Sequence, residues 1–301
     1  YNTIGLNNTA MGYAALSVNT TGNSNTGVGM QALNVNTTGY SNVGVGVNAL
    51  IGNIGGYQNV AVGVNSMYVN TYGAVNTAIG NSSLYNNTTG VYNIAVGYAA
   101  VYSNSIGNNN IGIGYTTLYS NTGNSNTGIG HAALYNNTTA TNNVALGFSS
   151  LNANTTGQYN VAVGSLALQY NTVAGGNVAV GYQALGANIS GYNNVGLGYQ
   201  ALYTNTTGHN NTGLGYSALF YNTVGVQNTA VGSTSFLNNV SGSNNTALGY
   251  ASLYANTTGS GNTAVGYNAL YANTTGADNV AIGYAALSGR SEEHTSELQS
   301  H

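Results

Sequence analysis

An asparagine recurs every 17 residues along this chain, at Asn8, Asn25, Asn42, Asn59 and onward through Asn245, Asn262 and Asn279, with one 16-residue step from Asn110 to Asn126. A fixed period of this kind marks a repeat architecture, in which each unit is one small supersecondary piece that needs its neighbours to bury an apolar face. Numbering that Asn as position 1, the seventeen units follow N-[TV]-[AG]-[VIL]-G-Y-x-[AS]-L-Y-x-N-T-T-G-x-x, as residues 262–277 show. Position 5 is Gly in every unit (Gly12, Gly29 and Gly266 among them), and position 12 is Asn in every unit that reaches it. Position 9 is Leu, as in Leu16, Leu33, Leu253 and Leu270, replaced only by Met67, Val101 and Phe236, so it reads as a core position.

Position 2 is always Thr, Val or Ile and position 4 is aliphatic or Met, while position 3 is always Ala or Gly. That pattern predicts a short strand with the side chains of 2 and 4 on one face and a close approach at the small residue between them. Gly at 5, and usually at 15, supplies the left-handed or unhindered backbone that a sharp corner needs. The stretch from 6 to 10 is ambiguous. Its tyrosines favour an extended strand or corner, whereas its Ala-Leu pair also fits one short helical turn. The fold class expected is therefore an all-β solenoid of seventeen 17-residue coils, the alternative being a strand plus one helical turn per coil. Buried Leu and Val in a single coil return far less than ordering its backbone costs, so stability is expected from stacking at about 4.8 Å, which would make a rod roughly 80 Å long.

Stacked coils turn repeated residues into columns. Asn at 1 and 12 can chain amides from coil to coil, and the tyrosines at position 6 (Tyr13, Tyr98, Tyr115, Tyr182, Tyr199, Tyr216, Tyr250, Tyr267, Tyr284) and position 10 (Tyr68, Tyr85, Tyr102, Tyr119, Tyr135, Tyr203, Tyr254, Tyr271) would stack likewise. Of these, Tyr98, Tyr115, Tyr199, Tyr216, Tyr250 and Tyr267 are the candidate adhesive surface. Columns of like charge would repel at this spacing, which accounts for a charged content of 2% against about 25% in ordinary domains. The missing proline follows from the need for ladder donors.

Function classes fall away on the same grounds. Arg290 is the one basic side chain among Lys and Arg, so residues 1–289 lack the means to neutralise phosphates, and no nucleic-acid partner is expected. No apolar run is long enough to span a membrane as a helix. There is no cysteine, and Asp278 is the sole acid before residue 290. His131, in a position 6 slot, and His209, at the variable position 16, therefore read as surface substitutions, not metal ligands or bases. Without a Ser-His-Asp set no nucleophilic triad is expected, and the chain is read as a non-enzyme with no cofactor and no metal. The glycines at 52, 55 and 56 lack a phosphate-loop lysine and read as corners. The N-T-T triplets at Asn19, Asn36, Asn154, Asn205, Asn256 and Asn273 match the N-glycosylation acceptor but coincide with the structural Asn column.

The unit resembles the NTALGYxALxxNTTG repeats of tail-fibre-like proteins from phages and bacterial surfaces, and is similar to a lengthened form of the YadA-type head repeat of trimeric autotransporter adhesins. The shared element is the small-aliphatic-Gly triplet, Ala264, Val265 and Gly266 for example. The resemblance covers residues 1–289 and implies an extracellular or virion fibre, a homotrimer and surface glycans as partners, and in tail fibres a self-cleaving C-terminal chaperone, for which no sequence is seen. The chain opens in mid-unit, and residues 290–301, RSEEHTSELQSH, look like a translated sequencing adapter; the expected organisation is a repeat solenoid at 1–289, truncated at both ends, and a non-native tail. Two other functions fit the pattern: an ice-binding solenoid, from Thr at positions 2, 13 and 14, and a filament that self-assembles through open strand edges.

Overall fold

A computed structural model describes residues 3–289, which fall into two compact units that divide in sequence between Tyr159 and Asn160. The first carries nine three-residue strands, β1 (Thr9–Met11) through β9 (Val144–Leu146), and the second carries eight, β10 (Val161–Val163) through β17 (Val280–Ile282). Within each unit successive strands pair in parallel, position on position: Thr26 faces Val43 and Val28 faces Val45 in the first, Val178 faces Val195 and Val180 faces Leu197 in the second. Each unit is thus a parallel β-solenoid with one strand per coil, and no helix occurs among the described residues. The adapter-like tail lies outside them.

The coil from Asn25 to Ser41 shows where the backbone polar groups go. Gly29 and Gln31 donate their N–H groups to the preceding coil, at the carbonyls of Met11 (2.7 Å) and Tyr13 (2.8 Å). Leu33 and Val35 donate to the following coil, at Ala49 (2.9 Å) and Ile51 (3.3 Å). The three amides of Thr37, Thr38 and Gly39 converge on one acceptor, the carbonyl of Ile54, at 3.0, 3.0 and 3.3 Å. Hydrogen bonding of this kind leaves little backbone unpaired inside, the condition any buried segment must meet.

The stretch from 6 to 10 is neither a strand nor a helical turn, which corrects both readings of it. Positions 7 and 9 are left-handed, with φ of 58° at Gln31 and 53° at Leu33, and the N–H groups of 8, 10 and 12 turn back to the carbonyls of 5, 7 and 9. A non-glycine residue in this region costs about 1–2 kcal/mol. At Leu33 the side chain is fully buried, which returns about 1.5–3 kcal/mol, and its N–H is satisfied by the next coil. Staircase geometry survives because each coil reproduces its neighbour's strain in register.

The strand is also turned the other way from expectation. Position 3, the small residue, is the buried one: Ala61, Ala78 and Ala179 are 0% exposed, whereas the flanking residues at 2 and 4 are half-exposed along most of both units. A Cβ on Gly44 would touch Leu33, which shows what fills the space. The interior therefore consists of Ala or Gly at 3, Ala, Ser or, once, Thr117 at 8, Leu at 9 with Met67, Val101 and Phe236 in its place in three coils, and the two asparagines, not of a Leu and Val column. Leu16, Leu33, Leu253 and Leu270 all sit in it.

The corners use glycine in two ways. At position 5 the requirement is conformational, with φ of 129° at Gly12 and Gly29 and 127° at Gly266, and it is steric as well because consecutive glycines stack backbone to backbone. At position 15 φ is not positive; a Cβ on Gly39 would press on the Gly56 carbonyl and on the Asn36 and Asn53 side chains, and only Ala140 and Ala174 carry one at this position. The turn absorbs the one short unit. β7 (Ile111–Ile113) still pairs residue for residue with β8 (Thr127–Ile129), and only two amides, of Thr122 and Gly123, converge on the next carbonyl.

Asp278 is the sole carboxyl side chain between residues 3 and 289, so folding is not tied to buried ion pairs. Urea unfolding midpoints are expected to be unmoved by added sodium chloride at about pH 7. A midpoint that shifted with ionic strength would show paired charges contributing to the fold.

Candidate functional site

Two kinds of column occupy the coils, one sealed inside and one facing out. The inner columns are amides. Asn42 Nδ2 donates to Asn25 Oδ1 (3.1 Å) and to the Gly56 carbonyl (2.8 Å), while Asn25 Oδ1 also accepts the Asn42 backbone N–H at 3.0 Å. In the position 12 column Asn53 Nδ2 donates to Asn36 Oδ1 (2.6 Å) and to that same Gly56 carbonyl (3.0 Å). The position 15 carbonyl is thus the shared acceptor that ties positions 1 and 12 of one coil together. Asn25, Asn42, Asn59, Asn245 and Asn262 are buried in this way, and Asn8, in the first described coil, is half-buried. Asn36, Asn154, Asn205 and Asn256 are 0% exposed, so the folded chain presents none of these acceptor asparagines to a glycosylating enzyme.

The outer columns are aromatic. At position 6, just beyond the Gly corner, Tyr98, Tyr115, Tyr199, Tyr216, Tyr250 and Tyr267 are each between 45% and 56% exposed. Tyr98 and Tyr115 stack at 5.2 Å, Tyr199 and Tyr216 at 5.4 Å, and Tyr250 and Tyr267 at 5.3 Å. His131 continues the first of these, lying 5.2 Å from Tyr115 and 5.2 Å from Phe148, so it is a rung of a ring column. In the second unit Ser233 interrupts the column between Tyr216 and Tyr250. Because the rings lie face to face, a stacked rung offers solvent its edge and hydroxyl, and only a terminal rung offers a face.

Position 10 forms a second, half-buried column. Tyr68, Tyr85, Tyr102, Tyr119 and Tyr135 follow one another at 5.0 to 5.1 Å with interplanar angles of 1° to 13°. Where both columns are filled, Tyr250, Tyr254, Tyr267 and Tyr271 flank a shallow depression of about 300 Å³ floored by Ala251 and Asn268. Burial, followed by repulsion from the Tyr102, Tyr135 and Tyr98 phenolates, pushes the Tyr119 phenol above its ordinary value of about 10. The folded chain thus holds this proton more tightly than the unfolded chain does. Its contribution is fully present below pH 10 and is lost as pH rises toward the raised value. Tyr119→Phe is expected to move the alkaline unfolding midpoint upward in a pH titration followed by circular dichroism.

No family model matches the chain, and no curated protein does.

Several aromatic contacts escaped the reading by consensus, those of Phe220 with Tyr203 and Tyr221 among them. Tyr40 stacks on Tyr57 at 4.9 Å, and Tyr192 packs against His209 at 4.6 Å, both at position 16, where no residue type dominates. Comparing like positions in successive units, not the consensus, would have found them. Among the described residues no group of three His, Asp or Glu side chains could hold a metal ion, and no helix is long and apolar enough to cross a membrane.

Proposed function

We propose that the chain is a structural and adhesive segment of an extracellular or virion fibre, without catalytic activity. The observation that supports this reading most directly is the exposed, uncharged tyrosine column at position 6, repeated on a rigid coil spacing. Single contacts to its edges and hydroxyls are weak, and their repetition gives avidity. Surface glycans are the partners suited to such a surface, because hydroxyls and aromatic edges serve sugars without charge. Binding of the chain to glycan arrays and to cells tests this, and silence on both would leave a spacer role alone. The half-exposed aliphatic residues at position 4, with Thr or Val at 2, give each unit an apolar strand face on which copies of the chain can associate, in keeping with a homotrimer. Sizing chromatography with electron microscopy separates trimer, monomer and filament.

Ice binding is the second reading, favoured by one feature. Thr212, Thr229, Thr246 and Thr263 stand in register on four successive half-exposed strands. The hydroxyls at position 13 are spoken for, since Thr20 donates to the Thr37 carbonyl (2.9 Å) and Thr206 to that of Thr223 (3.0 Å). Thermal hysteresis in the chain's solution would favour this reading, and its absence would remove it.

A further inference from the structure

We infer that the position 6 tyrosines form an oxidative cross-linking site, in which neighbouring coils are joined by dityrosine when a one-electron oxidant such as a peroxidase with hydrogen peroxide reaches the surface. The geometry is that of a row of phenols held in place for coupling. Tyr182 and Tyr199 are 5.3 Å apart, Tyr199 and Tyr216 5.4 Å, Tyr250 and Tyr267 5.3 Å, and Tyr267 and Tyr284 5.2 Å, with interplanar angles of 6° to 20°. All of these rings are at least 42% exposed, so an oxidant has access and the side chains have room to swing the remaining distance. Radical coupling between two phenols is limited by the meeting of two short-lived radicals. A parallel stack sets the reacting ortho carbons side by side before either radical forms, which is the advantage of intramolecular orientation.

The step balances. Two tyrosines each give one electron and one proton to the oxidant, and the two phenoxyl radicals join through one new bond between their Cε atoms. The two ring hydrogens at those carbons then move to the phenol oxygens and restore both aromatic rings. Hydrogen peroxide takes up the two electrons and two protons and leaves as two water molecules. Each link joins residues 17 apart and ties one coil to the next covalently, so the surface would harden with oxidation while the buried asparagine columns stay untouched.

The test oxidises the full chain, kept dilute, with peroxidase and hydrogen peroxide and maps the products by mass spectrometry after digestion. The expected result is a monomer that loses two hydrogens per link, with cross-linked peptides pairing Tyr98 with Tyr115, Tyr250 with Tyr267 and Tyr267 with Tyr284. Yield should fall several-fold when the chain is first unfolded in denaturant. Tyr267→Phe, a change with precedent at Phe148, the position 6 residue of its own coil, should remove both links to residue 267 and leave the pair of Tyr98 and Tyr115. Products that are mostly intermolecular, pairs that ignore the 17-residue spacing, or equal yield from the unfolded chain would each overturn the inference.

Discussion

Replacing Asn53 by Asp is expected to cost more stability than replacing it by Ala, although Asp matches Asn in shape. In the native coil Asn53 Nδ2 donates to Asn36 Oδ1 and to the Gly56 carbonyl, and its Oδ1 accepts from Asn70 Nδ2 at 2.7 Å. Alanine leaves Asn36 Oδ1 and one Asn70 N–H without partners in a site that is 0% exposed, at about 1–3 kcal/mol for each orphaned group. Aspartate instead puts a second acceptor against two carbonyl oxygens and brings an unpaired charge into the interior, which adds several kcal/mol or forces the carboxyl to stay protonated. Urea midpoints should therefore fall in the order wild type, Asn53→Ala, Asn53→Asp at pH 7, and the aspartate variant should recover as the pH is lowered. Equal midpoints for all three would mean that the amide column fills space and nothing more.

The second large effect lies at the glycine corner, where two costs can be separated. Gly46 and Gly283 have nearly the same backbone, with φ of 131° and 126°. A Cβ on Gly46 would lie 2.6 Å from the Gly63 carbonyl oxygen and 2.8 Å from its carbon, whereas a Cβ on Gly283 would meet nothing within 4 Å. Gly283→Ala then carries the backbone strain alone, about 1–3 kcal/mol. Gly46→Ala carries that strain and a collision with immovable backbone, and is expected to exceed 4 kcal/mol or to prevent folding of the coils around it. Thermal melts of the two variants measure the difference. A Gly283→Ala variant as damaged as Gly46→Ala would show that conformation, not space, fixes glycine at this position.

These two experiments probe residues that were legible in the sequence, and the reason they were legible is physical. Asn at 1 and 12 and Gly at 5 each satisfy a requirement that only one residue type meets, so identity is held from unit to unit. The strand at 2 to 4 was legible as a strand and misread in orientation, because burial was assigned to the larger aliphatic residues. With Leu33 and its equivalents already filling the inside, only Ala or Gly fits beneath them, and the bulkier residues at 2 and 4 turn outward. The left-handed backbone at 7 and 9 left little trace, since position 7 varies among Ala, Gln, Ser, Thr, Leu and Asn, only Asn48, Asn65 and Asn268 favour that conformation, and Leu at 9 gives no signal for it. Position 17, by contrast, is left-handed and rich in Asn, Ser and Gly, with Gly176 at φ 72° and Asp278 at φ 56°, a signal present in the sequence that went unused. The tyrosine columns followed directly from the period once stacking in register was granted.

The short seventh coil bears on how such a chain can change through descent. The unit that is one residue short between Asn121 and Gly123 has two stretched amide contacts, Asn121 to Asn104 at 3.5 Å and Asn126 to Asn110 at 3.4 Å, and an intact strand alignment. The same loss within positions 2 to 4 would exchange inside for outside along the rest of that strand. Small gains and losses should therefore collect in the turn after position 12. Larger ones should come as whole coils, because the near identity of the units invites unequal exchange between them and each added coil restores the same contacts. Length in such a lineage becomes a countable trait, varied by the coil, with the surface pattern copied each time.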